Sequence, residues 1–226
     1  MTKRLVIFDC DGVLVDSETL SSRVMREMAG TEGLDFSSEQ ALEFIRGRKV
    51  AEWVGQLEAR LGRALPVGFV PRFRSRSADL FATELLPVPH VRQVIEGLEL
   101  PFCTASSAPR EKILDTLGLT GLLPYFQDRI YSAYEVGVWK PDPGLFLHAA
   151  ADLEVPAEHC AVVEDSLVGV RAGLAAGMSV FAYAPRENGT AADLAAEGAV
   201  AFDSMRELPA LLDRWAARGP AARAAR

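Results

Sequence analysis

Apolar residues follow two different rhythms along this chain. Leu5, Val6, Ile7 and Phe8 form an unbroken apolar run closed by polar residues, which predicts a strand buried on both faces. From residue 16 to 85 no good apolar strand is found, and apolar positions recur at helical spacing instead. Val24, Met25 and Met28 predict one helix, and Leu42, Phe44 and Ile45 a second, capped by Ser37 or Ser38. Trp53, Val54, Leu57 and Leu61 predict a third helix stopped by Gly62. Phe69, Phe73, Leu80, Phe81 and Leu85 predict a fourth, with Pro71 near its start. From residue 86 short apolar strands alternate with amphipathic helices. The strands are placed at Leu100 to Thr104, Asp128 to Ser132, Cys160 to Val163, Ser179 to Tyr183 and Ala199 to Phe202. Helices are placed around Val91 to Leu98, from Pro109 to Gly118, over Pro143 to Asp152, Val168 to Ala176 and Met205 to Trp215. Alternating strands and helices imply an α/β fold with a parallel, Rossmann-like sheet covered on both faces. The expected organisation is therefore an α/β core from residues 1–15 and 86–218, a small all-helical unit over 16–85, and a disordered tail over 219–226.

Composition narrows the function classes. Hydrophobic residues make up 49% of 226, enough for a packed core. No apolar stretch approaches the ~20 residues of a membrane span, and the apolar run after Lys3 and Arg4 is too short for a signal peptide. The net charge of −7 and the lack of a long basic run argue against a nucleic-acid or anionic-membrane surface. Cys10, Cys103 and Cys160 lie far apart without metal spacing, and read as reduced thiols of a cytoplasmic protein. A monomer without nucleic-acid or membrane partners is expected.

The first candidate chemistry lies where the first strand ends, at Asp9, Cys10, Asp11 and Gly12. Strand alternation puts Asp9 and Asp11 on one side and Cys10 on the other. Two carboxylates that close repel unless a cation or proton intervenes. In open α/β sheets the carboxyl ends of strands are where ligands bind. Asp and Gly after a strand are also ordinary turn residues. Three further polar clusters follow predicted strands. Thr104, Ala105, Ser106 and Ser107 offer hydroxyls before a helix, suited either to a phosphate or to capping that helix. Lys140 precedes Pro141, which biases its backbone to an extended form. Glu164 and Asp165 follow a buried strand, and Ser166 can cap the next helix.

Together these residues carry a resemblance. Asp9 to Glu18 reads DxDGxLxDSE, followed in order by CTASSAP, VWKPDP and VVEDSLVGVRAGLAAGM. The chain resembles the haloacid-dehalogenase-like (HAD) superfamily over Leu5 to about Met178, in the branch whose helical cap is inserted after the first motif. The resemblance implies a phosphoric monoester hydrolase acting on a small phosphorylated metabolite. Asp9 would be the nucleophile and Asp11 the general acid/base, with Ser106 and Ser107 binding phosphate and Lys140 neutralising it. A Mg²⁺ ion would be held by Asp9, the Asp11 main-chain carbonyl, Asp165, and Glu164 directly or through water. Residues 16–85 would be the cap, and Arg48 and Lys49 in its Arg46–Lys49 loop would contact the substrate. Phosphosugar mutases of the β-phosphoglucomutase type carry an assisting His in the first cap helix where this chain has Ser21, which favours hydrolysis. A catalytically inactive, ligand-binding relative is the reading from another class. The segment VWKPDPGLFLHAA resembles phosphatases of 6-phosphogluconate or related small phosphates, and phosphoglycolate is another substrate of the family.

Overall fold

The computed structural model describes residues 3–217, and the predicted disordered tail, residues 219–226, lies outside the described residues. The chain opens with strand β1 (Leu5–Phe8), whose four side chains are fully buried. Helices α1 (Ser17–Thr31), α2 (Ser38–Ile45), α3 (Val50–Leu61), α4 (Phe69–Glu84) and α5 (Val91–Gly97) follow. Next come β2 (Phe102–Ser106), α6 (Arg110–Leu119), α7 (Leu123–Phe126), β3 (Ile130–Ser132), α8 (Ala133–Val136) and α9 (Gly144–Asp152). The chain continues with β4 (Cys160–Glu164), α10 (Leu167–Ala175), β5 (Ser179–Tyr183), α11 (Ala191–Ala196), β6 (Val200–Phe202) and α12 (Leu208–Ala217).

The six strands form one parallel sheet in the order β3-β2-β1-β4-β5-β6. This is a Rossmann-like order, in which the chain builds outward from β1 to β3 and then returns to the other side of β1 at β4. The switch point falls between β1 and β4, and ligands bind at the carboxyl ends of such a pair. Alternation along β1 sends Val6 and Phe8 into one hydrophobic cluster and Leu5 and Ile7 into the other, so helices cover both faces.

Helices α1–α4 enclose a separate cluster around Trp53, whose ring packs against Phe73 (centroids 4.9 Å apart) and Phe69. The cap signals fall where the pattern places them. Ser37 and Gln40 form a reciprocal capping box at α2, and Gly62 ends α3 in the left-handed region (φ 63°). The bundle is not sealed off from the sheet, because Leu20 of α1 and Phe81 and Leu85 next to the sheet belong to the cluster under β1. The two crossings run side by side: Val15 bridges Pro87, and the Asp16 amide donates to the Leu86 carbonyl (3.1 Å).

Several boundaries differ from expectation. β2 starts at Phe102, not Leu100, and runs on through Ser106, because its partners on β3 are Ile130 to Ser132. α6 runs past Gly118 to Leu119, and its N-cap is Pro109. Ser107 therefore does not cap it, as one reading of the sequence expected. α7, α8 and α11, of four to six residues, were not anticipated; segments that short carry no readable period.

Candidate active site

Asp9 leaves the end of β1 with its amide bonded to the Val163 carbonyl of β4, so its side chain projects at the switch point. Lys140 lies between Asp9 and Glu164, donating to Asp9 Oδ1 and to Glu164 Oε1, each at 2.6 Å. All three groups are buried. The Lys140–Pro141 peptide is cis. Glu164 Oε2 accepts from the amides of Asp165 and Ser166 and from the Ser166 hydroxyl. Ser166 in turn caps α10, its Oγ accepting from the Gly169 amide (3.1 Å).

Asp165 is different. Its carboxylate is buried and makes no hydrogen bond with any described residue. Asp9, Glu164 and Asp165 offer carboxylate oxygens that all lie within 4.8 Å of one another. Burial and the neighbouring charges of Glu18, Glu164 and Asp9 push the Asp165 carboxyl far above the ordinary range. Burial, with Glu164 and Asp11, also pushes Asp9 up to about 7 despite Lys140. Gly12 leaves the room for Asp165: its φ is +80°, and a Cβ there would lie 2.2 Å from Asp165 Oδ2. Crowded, dehydrated carboxylates of this kind fit a hard divalent cation.

Asp11 stands apart from that cluster. Its Oδ1 accepts from Ser17 Oγ and from Lys112 Nζ, the latter at 2.8 Å. Burial alone would raise its carboxyl, but the Lys112 charge and these two donors outweigh it and hold Asp11 below the usual range. Cys10 points into the core beneath, 3.9 Å from Thr116 Oγ1, and burial pushes its thiol far up. Ser106 is buried at the end of β2, its Oγ accepting from the Ala108 amide (3.1 Å), while Ser107 is half-buried beside it.

A cavity of about 970 Å³ lies between these strand ends and the helical bundle. Asp9, Asp11, Ser106, Ser107, Lys140, Glu164 and Asp165 line its floor. The bundle's Gly47 is seated on the core: its φ is +64°, and a Cβ there would meet Ser166 Cβ at 2.8 Å. Glu18 fastens this loop from below, accepting from the Gly47 amide (3.1 Å) and the Arg46 guanidinium (3.3 Å). The two loop residues expected to touch substrate both line the cavity but are partly engaged. Arg48 donates to the carbonyls of Glu43 and Phe44 at the end of α2, and Lys49 lies 5.0 Å above the Trp139 ring.

The sequence reading missed Lys112, Ser17 and Trp139 at this site. Ser17 stands inside the first motif. Lys112 is six residues beyond Ser106 on α6, and only the packing of α6 beside β1 brings it to Asp11.

A buried Asp–Lys–Glu bridge beside paired acidic residues thus stands at the switch point of the parallel sheet. Residues 3–177 match the family of haloacid dehalogenase-like hydrolases. The chain belongs to that family and is a phosphoric monoester hydrolase. It is 32% identical over 215 residues to 6-phosphogluconate phosphatase of Escherichia coli K12, covering 95% of each chain. It is 31% identical over 177 residues to a phosphorylated carbohydrates phosphatase of Thermotoga maritima, covering 76% of this chain and 81% of that one. Among solved structures it resembles a haloacid dehalogenase-like protein of Agrobacterium tumefaciens with a TM-score of 0.86 at 30% identity, covering 95% of this chain and 99% of that one. A family hydrolase from Deinococcus radiodurans, solved with bound phosphate and sodium, matches with a TM-score of 0.81 at 27% identity, covering 97% and 99%.

Proposed function

We propose that this chain is a cytoplasmic, Mg²⁺-dependent phosphatase of small phosphorylated sugars, 6-phosphogluconate among them, and that it works through a phosphorylated Asp9. The observation that carries this reading is the Lys140 bridge. An ammonium 2.6 Å from both Asp9 and Glu164 fixes the Asp9 carboxylate in one orientation and leaves its Oδ2 without a donor among the described residues, ready to attack. The Escherichia coli and Thermotoga maritima relatives are named as phosphatases of 6-phosphogluconate and of phosphorylated carbohydrates, which supports the substrate class.

Asp9 attacks phosphorus in line; the bond from phosphorus to the alcohol oxygen breaks as the new bond forms. Asp11 gives a proton to the departing oxygen, then takes one from the water that cleaves the Asp9–phosphorus bond. Lys140 and Ser106 hold phosphoryl oxygens while negative charge builds on them. Asp9, Asp165 and the Asp11 carbonyl would hold Mg²⁺, with Glu164 reaching it through water because four donors already fill its oxygens. When bound, the ion supplies charge neutralisation between the Asp9 carboxylate and the phosphate. Helices α1–α4 act as a cap over residues 16–85, excluding water from the first step. No histidine lines the cavity among the described residues, which supports transfer to water over the mutase reading.

The test is phosphate release from 6-phosphogluconate and a panel of sugar phosphates, with Mg²⁺ and with excess chelator. Turnover that needs Mg²⁺ and incorporates phosphate into an acid-quenched enzyme at Asp9 is expected. Undiminished turnover in chelator, or phosphate missing from Asp9, would overturn the reading.

A further inference from the structure

One wall of the cavity presents polar groups that no described residue engages. Helix α4 turns Phe81, Ala78, Ser77 and Arg74 toward the cavity, at spacings of three and four that share a helix face. Phe81 marks the catalytic end, because its ring centroid lies 5.9 Å from Lys112 Nζ, which is bonded to Asp11. From there the helix rise places Ser77 about 6 Å and Arg74 about 10 Å further along the axis. Ser77 is 5% exposed, yet its Oγ has no hydrogen-bond partner. Arg74 makes no hydrogen bond, ion pair or ring contact with any described residue. Across the cavity α6 presents Glu111 and Asp115, and neither is bonded to Arg74.

A buried hydroxyl without a partner is disfavoured unless a ligand completes it. An unpaired guanidinium at the far end offers a planar fork that matches a carboxylate in two bonds. The carboxylates of α6 accept from sugar hydroxyls and repel an acid placed against them, so an acidic terminus is directed to the α4 side.

We propose that Arg74 and Ser77 form the specificity subsite for the non-reacting end of the substrate, and that it selects a phosphorylated sugar acid over a phosphosugar ending in a neutral group. The terminal carboxylate meets Arg74, a hydroxyl of the chain meets Ser77, and the phosphate reaches Asp9. This rests on the phosphatase reading above and adds which end group is chosen and by what.

The experiment compares 6-phosphogluconate with glucitol 6-phosphate, which differ only in a terminal carboxylate against a terminal hydroxymethyl. The readout is the ratio of kcat/KM for the two substrates. Wild type is expected to favour the acid. Arg74→Gln should lower the ratio at least tenfold, mainly through KM for the acid, and Arg74→Lys should fall between. Ser77→Ala should weaken both substrates together; unchanged kinetics for both would remove Ser77 from the subsite. A ratio within twofold of wild type in Arg74→Gln overturns the proposal. So do equal losses on both substrates, which would mean that Arg74 serves closure against Glu111 and Asp115. Should wild type hydrolyse neither substrate, the phosphatase reading falls while the subsite is still read separately. Calorimetric binding of 6-phosphogluconate to Asp9→Asn, with and without Arg74→Gln, then decides: tenfold weaker binding supports it and equal binding overturns it.

Discussion

Asp9 and Asp11 are two residues apart on one side of the chain, and their surroundings push their carboxyls in opposite directions. Asp9 shares a buried cluster with Glu164 and Asp165 and rises to about 7, whereas Asp11 is held low by Lys112 and Ser17. Environments that separate two carboxylates are how one site assigns two roles to one residue type. Asp9→Asn keeps the shape and removes the proposed nucleophile, so turnover should fall by roughly 10⁴-fold or more with the melting temperature little changed. Near-native activity in the pure variant would refute that role. Asp11→Asn should lose roughly 10²–10⁴-fold on a sugar phosphate and less on an activated aryl phosphate, whose leaving group needs no proton. Comparison of the two substrates checks it. Lys112→Met removes the principal group holding the Asp11 carboxyl down, so that carboxyl should titrate at higher pH. In the proposed mechanism Asp11 must carry a proton to give to the departing oxygen, so the descending limb of the kcat/KM profile for a sugar phosphate should move to higher pH. A limb that stays in place would show that Lys112 does not tune Asp11.

At the scale of elements, the seam between the α1–α4 bundle and the core is narrow and exact in fit at Gly47. A Cβ there would sit 2.8 Å from Ser166 Cβ in a backbone conformation that disfavours side chains. Gly47→Ala should therefore keep the loop from seating on the Ser166 turn. The expected result is a higher KM and lower kcat for sugar phosphates, with a melting temperature within a few degrees of wild type, since the bundle's own cluster around Trp53 is untouched. Steady-state kinetics alongside thermal melts separate this from general unfolding. Lys49 over Trp139 and Glu18 under Arg46 and Gly47 belong to the same seam.

At the scale of the whole molecule, the sheet brings acidic residues from β1 and β4 into one buried cluster. Keeping a carboxylate charged there opposes folding, and its raised pKa gives the sign. Asp9 binds its proton more tightly folded (about 7) than unfolded (3.8), so its contribution to stability is present at low pH and lost as pH rises through that window. A divalent cation bound to the deprotonated cluster would reverse the loss. The rise in Tm on adding Mg²⁺ should thus grow between about pH 4 and pH 7, reaching ~5–10 °C at a hundredfold excess over Kd. A Mg²⁺ increment independent of pH, or none, would argue against a cation among Asp9, Glu164 and Asp165. Chelator should remove the increment and the activity together.

Much of this was legible residue by residue. The apolar run Leu5–Phe8, the cap at Ser37 and the stop at Gly62 are local signals, and each marks its element because the physics involved spans only a few residues. The ordered motifs at Asp9, Ser106, Lys140 and Glu164 were legible for the same reason, each being a short string at a strand end. Tertiary structure decided what depends on distance between strings. It put Lys112 on Asp11 and occupied all of Glu164 with four donors while leaving Asp165 bare. It extended β2 to Ser106 through pairing with β3, and it turned Arg48 back onto the carbonyls of α2 while leaving Arg74 on α4 without a partner among the described residues. Hydrogen bonds and charge pairs between residues a hundred positions apart have no period along the chain, so only the packed sheet and the helices laid against it determine them.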